Sequence, residues 1–171
     1  MMDDAAAIRA CRAGEGDAFR HLVDRYQQRA QAHARILTRN EADAADAVQE
    51  AFVDAFRGLK AFDQGRPFYA WLYVLLRNRC FKQVSRRGTR LESAVIDDLP
   101  IDPAVSERHL DLWRAVGRLP AADAELVVLK HIEGWTYEEL STTLGIPRGT
   151  VMSRLYAARQ RLLTLLTGET S

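Results

Sequence analysis

The sequence predicts an all-α chain made of two small helical domains joined by a flexible acidic linker. Three observations predict it. Apolar residues recur at helical spacing through most of the chain, with no convincing strand and no internal repeat. Residues 88–108 lose that period and carry Asp97, Asp98, Pro100, Asp102 and Pro103, the composition of a connector. The stretch TLGIPRGTVMSRL, Thr143–Leu155, halts a helical pattern with Gly and Pro and resumes it at once. The domains are accordingly placed at 1–88 and 110–171, with the linker at 89–109.

In the first domain, Phe19, Leu22, Val23, Tyr26 and Ala30 share one face after a predicted N-cap at Asp17. Asn40 with Asp43 marks the start of another helix, whose apolar stripe is Val48, Phe52, Ala55, Phe56 and Leu59. Gly58 places the end of that helix nearby. Phe62–Pro67 reads as a loop. Pro67 suits the opening of the next helix, because its missing N–H leaves nothing unsatisfied in a first turn. That helix is expected to reach Arg87, with Gly88 ending it. In the second domain Trp113, Val116 and Leu119 line one helix. Leu126, Leu129 and Ile132 line the next, between a turn at Pro120 and a stop at Gly134.

Composition removes several classes of function. Hydrophobic residues make up 47% and charged residues 27%, ordinary values for a globular protein. Two cysteines, Cys11 and Cys80, without a CxxC pair argue against a disulfide framework or zinc site and suit a reducing cytoplasm. The four histidines show no metal-ligand spacing, and there is neither a phosphate-binding Gly loop nor a nucleophile motif. No enzyme, metal or cofactor is expected. The start MMDDAAAIRA is not a signal peptide. The longest apolar run, Pro67–Leu76, is half of the roughly 20 residues that a membrane span requires, so no span is expected. The net charge of +1 conceals an uneven distribution: residues 1–90 hold 16 Lys/Arg against 11 Asp/Glu, and residues 91–111 hold one against six.

The Gly-Pro break has a specific reading. Thr136-Tyr137-Glu138-Glu139 has the form of a capping box, so a helix starts there, with Tyr137, Leu140 and Leu144 inward and Gly145 at its end. Pro147 opens a second helix with Val151, Leu155, Ala158 and Leu162 inward. Two short helices joined by a Gly turn form a helix-turn-helix, whose second helix enters a DNA major groove. Arg148, Thr150, Ser153, Tyr156 and Arg159 then flank the stripe as donors for phosphates and base edges. In the first domain, Phe62, Phe68, Tyr69, Trp71 and Tyr73 precede six bases and no acid between Arg77 and Arg90. Interleaved aromatics and cations suit single-stranded DNA, although Phe68 and Leu72 read as core.

TYEELSTTLGIPRGTVMSRLYAARQRL resembles region 4 of bacterial RNA polymerase sigma factors of the extracytoplasmic-function (ECF) group, in the sigma-70 family. DAADAVQEAFVDAFRGL, Asp43–Leu59, resembles region 2.2, and FDQGRPFYAWLYVLLRNRC, Phe62–Cys80, resembles regions 2.3 and 2.4. The resemblance implies a factor that binds core RNA polymerase through its β′ and β subunits, recognises the −10 and −35 promoter elements and initiates transcription in the cytoplasm. It implies polymerase contacts at Asp43, Asp46, Gln49, Glu50 and Asp54. It implies −10 contacts at Phe62, Arg66, Trp71, Arg77, Asn78, Lys82 and Arg86, with the Phe62–Arg66 loop and Asn78 receiving a flipped base. For the −35 element it implies Thr136, Tyr137, Glu138, Arg148, Gly149, Thr150, Met152, Ser153, Tyr156 and Arg159. An anti-sigma factor is an implied partner, and the acidic linker would imitate RNA in the polymerase's exit path. The chain departs from the family pattern at Met152 and Ala157, both usually basic, and carries Lys82 where an acid is common. Two alternatives stay open: a sigma-like decoy that binds an anti-sigma factor without binding promoters, and a stand-alone helix-turn-helix regulator.

Overall fold

A computed structural model describes residues 2–88 and 107–168. It contains eight α-helices among those residues, two short 3-10 turns and no strand, so the chain is all-α there. It divides into two compact units, Met1–Thr89 and Arg90–Ser171. Residues 89–106, nearly all of the expected acidic linker, lie outside the described residues. The second unit's first helix begins at Glu107, inside the span assigned to the linker.

The first unit consists of α1 (Asp4–Arg12), α2 (Arg20–Thr38), α3 (Glu41–Gly58) and α4 (Phe68–Arg87). α1 did not stand out in the sequence. Asp3 caps it by accepting a hydrogen bond from the Ala6 N–H, and it buries Ala7 and Ile8. The cap expected at Asp17 does not form. Gly16–Phe19 coils as a 3-10 turn and α2 begins after Phe19, without a side-chain cap. Asn40 does cap α3: its Oδ1 accepts the Asp43 N–H at 2.9 Å. Pro67 opens α4 and Gly88 closes it at φ +63°, a left-handed angle for which glycine carries no Cβ penalty.

α3 is the central element, and its spacing gives it three sides. Ala44, Ala47, Ala51 and Ala55 form a fully buried stripe of small residues that lets neighbouring helices approach closely. Val48, Phe52, Val53 and Phe56 lie on one flank, and Asp43, Glu50 and Asp54 on the other. Leu22, Ala34 and Leu37 of α2 and Leu72, Tyr73, Leu76 and Cys80 of α4 complete the core.

His33 is buried in that core. Its Nδ1 shares a 2.7 Å hydrogen bond with the Tyr69 hydroxyl, and its ring stands edge-on to Tyr73. Burial lowers its pKa to about 3, and the Arg29 guanidinium, 3.7 Å above the Tyr69 ring, adds to the effect. Unfolded, the imidazole takes a proton near 6.5, so between those values the unfolded chain binds more protons. This contribution to stability is complete above pH 6.5 and is lost as pH falls from 6.5 towards 3. The unfolding free energy of the wild type should therefore fall more steeply than that of His33→Gln across this window, by up to about 1.4 kcal/mol per pH unit. Parallel curves would show that His33 does not titrate on unfolding.

The second unit consists of α5 (Glu107–Arg118), α6 (Ala121–His131), α7 (Tyr137–Leu144) and α8 (Arg148–Thr167). α6 is deeply buried, with Leu126, Val127, Val128 and Leu129 all in the core of the unit. Ile132, expected on the inner face, is 50% exposed, because α6 ends at His131 and the chain turns out towards Gly134. The Thr136 capping box is complete: its hydroxyl accepts the Glu139 N–H at 3.1 Å, while the Glu139 carboxylate accepts the Thr136 N–H at 2.7 Å. Gly145 ends α7 at φ +66°. Val151, Leu155 and Ala158 of α8 then pack inward, completely buried beside Leu140.

Candidate nucleic-acid and protein interfaces

On α4, Trp71, Asn78 and Lys82 fall within one narrow strip, at spacings of seven and four residues. Asn78, Lys82 and Arg86 are exposed, and Arg66 is exposed in the preceding loop. Trp71 is half-buried: Phe62 lies 4.8 Å from it, Phe68 stands edge-on at 5.8 Å, and a Cβ at Gly58 would come within 3.3 Å of its ring. Arg77 lays its guanidinium over Phe81 at 4.3 Å. Phe62 is 5% exposed, its ring packed between Phe68 and Trp71, so it forms the root of the loop. The loop itself is a tight turn: Asp63 Oδ1 accepts the Gly65 N–H at 2.9 Å and the Asp63 carbonyl accepts the Arg66 N–H at 3.1 Å.

The acidic flank of α3 lies opposite the Val48/Phe52/Phe56 stripe, as its spacing predicts, and its Asp43, Glu50 and Asp54 are half-buried and already paired. Arg79 of α4 donates to both Asp54 oxygens, at 2.6 and 2.8 Å, and to Glu50 at 3.0 Å. Arg87 donates to Asp43 at 2.5 Å. The Arg79 hydrogen bonds hold the Asp54 carboxyl below its ordinary range, and the guanidinium is raised in turn. Asp43, Glu50 and Asp54 therefore zip α3 to α4. Of the five residues predicted to meet the polymerase, Asp46 and Gln49 are the exposed ones.

The open surface lies on the other flank. Phe19, Val23 and Gln27 of the α2 side and Val48, Gln49, Phe52, Val53 and Phe56 of α3 line an apolar groove. Val53 is 42% and Phe56 49% exposed, although both are large apolar residues on a structured helix. Sequence reasoning counted Phe56 among the core and passed over Val53. The available signal was that an alanine stripe already satisfied the core-facing side, leaving a second apolar stripe without a partner.

In the second unit, α8 carries Arg148, Arg154, Arg159 and Arg161 and no acid. Arg148, Gly149, Met152, Ser153 and Tyr156 are exposed near its start, and Thr150 is half-buried. Three predicted contacts are already engaged within the chain. The Thr136 side chain is held in the capping box, Ser153 donates to the Thr150 carbonyl at 3.1 Å, and Arg159 donates to His131 Nε2 at 3.1 Å. Tyr137 lies beneath the Lys130 ammonium at 4.4 Å, and Glu138 is exposed. Arg161 is drawn back to the buried Asp123. Burial and the neighbouring Arg159 and Lys130 charges lower the His131 pKa, keeping it a neutral acceptor for Arg159. Met152 and Tyr156, 49% and 66% exposed, give the start of α8 an apolar patch among its arginines.

Comparison with known proteins gives one family for both units. The family described as Sigma-70 region 2 matches residues 22–90, and that described as Sigma-70, region 4 matches residues 109–162. The ECF RNA polymerase sigma factor SigM of Mycobacterium tuberculosis (strain ATCC 25618 / H37Rv) is 31% identical over 165 residues, covering 95% of this chain and 84% of that protein. The ECF RNA polymerase sigma-E factor of Escherichia coli (strain K12) is 28% identical over 95% of this chain and 93% of its own length. Among solved structures, the sigma factor RpoE in complex with the anti-sigma factor NepR from Bartonella quintana matches with a TM-score of 0.72 at 27% identity, covering 89% of this chain and 98% of that one. CnrH in complex with the cytosolic domain of CnrY matches at 0.66 and 28% identity, covering 96% of this chain and 97% of that one. No helix among the described residues is long and apolar enough to cross a membrane. With the region 2 and region 4 matches in order along one chain, and full-length relatives of the same kind, the chain belongs to the ECF sigma factors of the sigma-70 family.

Proposed function

We propose that this sigma factor joins core RNA polymerase through the first unit, reads and opens the −10 element with α4 and its preceding loop, and reads the −35 element with α8. The observation that carries the reading is the division of labour on α3 and α4. One flank of α3 is zipped to α4 by Arg79 and Arg87, which fixes the two helices relative to each other. The other flank keeps an apolar groove open for a protein, and the outer strip of α4 keeps Asn78, Lys82 and Arg86 open for DNA. A groove with Gln49 at its edge and Asp46 nearby suits an amphipathic helical partner with some basic residues, which is the chemistry expected of a β′ docking element. Contacts to the β subunit belong to the second unit in this reading.

Cations meet phosphates and the half-buried Trp71 supports a displaced base, which suits single-stranded DNA. α8 supplies Arg148, Arg154 and the Met152/Tyr156 patch to a major groove, and apolar side chains there favour thymine methyl groups. The matched RpoE and CnrH structures are complexes with NepR and CnrY, the first of these an anti-sigma factor, and we extend such a partner to this chain. The site of action is the cytoplasm, with the polymerase. Met152, and Ala157 in place of a usual base, favour a second reading in which the second unit binds DNA weakly and the anti-sigma interaction dominates.

Selection from a randomised duplex library by core polymerase alone, by this chain alone and by the two together tests the choice. The proposal expects enrichment of two spaced boxes only when both are present. Recovery of palindromes by the chain alone would replace it with a dimeric regulator, and no enrichment at all would replace it with the decoy.

A further inference from the structure

α1 lies before residue 22, outside the span matched to Sigma-70 region 2, yet one of its side chains reaches the root of the loop before α4. The Arg12 guanidinium donates to the Leu59 carbonyl twice, from Nε at 3.2 Å and from Nη2 at 3.0 Å, and donates from Nη2 to the Phe62 carbonyl as well. These contacts span 47 and 50 residues of chain. Leu59 caps α3 and Phe62 is the last residue before the Asp63–Arg66 turn. The Leu59 carbonyl also accepts the Phe62 N–H, at 3.3 Å, and a planar guanidinium with several fixed donors can hold it and the Phe62 carbonyl together. An ammonium, as a point charge, would not fix both.

We propose that Arg12 is a positioning residue for promoter opening, holding the loop that receives the displaced −10 base at a fixed place against Trp71 at the start of α4. This rests on the −10 reading of that loop. The root is held from two directions. The Phe62 ring is wedged between Phe68 and Trp71, and its carbonyl is held from α1 by Arg12. Beyond that root, the turn has only the local Asp63 hydrogen bonds to Gly65 and Arg66. Freed of Arg12, the turn keeps its own shape but can shift as a body against α4. A base-receiving site works only when its two walls are in register, so a shift of about 1 Å is costly to capture without being costly to folding.

The other end of α1 provides the control. Asp4 pairs with Arg25 and accepts the Tyr26 hydroxyl, tying the start of α1 to α2 with no hydrogen bond to the loop itself. Asp4→Ala should loosen α1 without releasing the loop.

The test uses full-length chain in holoenzyme with core polymerase, on a promoter selected by the wild type. It measures permanganate reactivity of promoter thymines over time, core affinity and the melting midpoint. Arg12→Ala should open the promoter on the order of tenfold more slowly at unchanged core affinity. Arg12→Lys should fall between it and the wild type, and Asp4→Ala should open at the wild-type rate. Wild-type opening by Arg12→Ala would overturn the proposal. So would equal losses in Arg12→Ala and Asp4→Ala that track their melting midpoints, since α1 would then act through packing alone. If the wild type opens no promoter, the −10 reading itself fails, which the Arg12 variants cannot bring about.

Discussion

Phe56→Glu is expected to lower the affinity of this chain for core RNA polymerase by at least about tenfold while leaving it folded. The residue is 49% exposed at the open end of the α2–α3 groove, with a T-shaped contact to Phe19 at 5.2 Å on the protein side. Losing that ring contact costs on the order of 1 kcal/mol. Placing a carboxylate in a groove that a partner covers costs more, because the charge has no counterpart there once water is expelled. Glu50→Lys makes the informative contrast. Glu50 serves Arg79, so reversing its charge disturbs the α3–α4 zip as well as any interface. Affinity should be measured by fluorescence titration of labelled chain with core enzyme, with circular dichroism on the same samples. Wild-type affinity for Phe56→Glu would remove the groove from the interface and return docking to the polar residues of α3.

Asn78→Ala should reduce strand opening by roughly 1–3 kcal/mol, the usual scale for losing a base-specific contact, without weakening polymerase binding. Asn78 is exposed on α4, in line with Trp71 and Lys82, and Asn is a poor helix former compared with Ala. If its role were only structural, the substitution would be neutral or slightly stabilising. Permanganate footprints of the holoenzyme–promoter complex separate the two outcomes. Equal thymine reactivity in wild type and variant would mean that Asn78 takes no part in opening.

What the sequence made legible was local. The Asn40 cap, the Thr136–Glu139 capping box, the Pro67 and Pro147 starts and the Gly88 and Gly145 stops all depend on hydrogen bonds or backbone angles within a few residues. The core stripe Val151, Leu155, Ala158 followed directly from period. Contacts between helices were not legible in the same way. Spacing put Asp43, Glu50 and Asp54 opposite the apolar stripe of α3, but only packing could show that Arg79 and Arg87 wait there. Phe62 looked available because it sits in a loop, and its burial depends on Phe68 and Trp71 folding back over it. The Asp17 cap failed because Gly16–Phe19 closed a tighter turn first. Arg12 gave no sequence signal for its partners: both are backbone carbonyls about 50 residues away, and carbonyls have no side-chain identity to read.

The four arginines of α8 are all exposed but not equivalent, since Arg159 is engaged with His131 and Arg161 with Asp123. Met152 and Tyr156 are exposed at the start of the helix, so discrimination in the proposed −35 contact is expected to come from apolar contact more than from guanidinium readout.

The most direct measurement is in vitro transcription by core RNA polymerase, with and without this chain, on promoters recovered from the selection. Transcripts are expected to start at a fixed distance from the −10 box, to require the added chain and to fall sharply when either box is scrambled. Holoenzyme that assembles but yields no specific transcript from any selected promoter would contradict the proposed function.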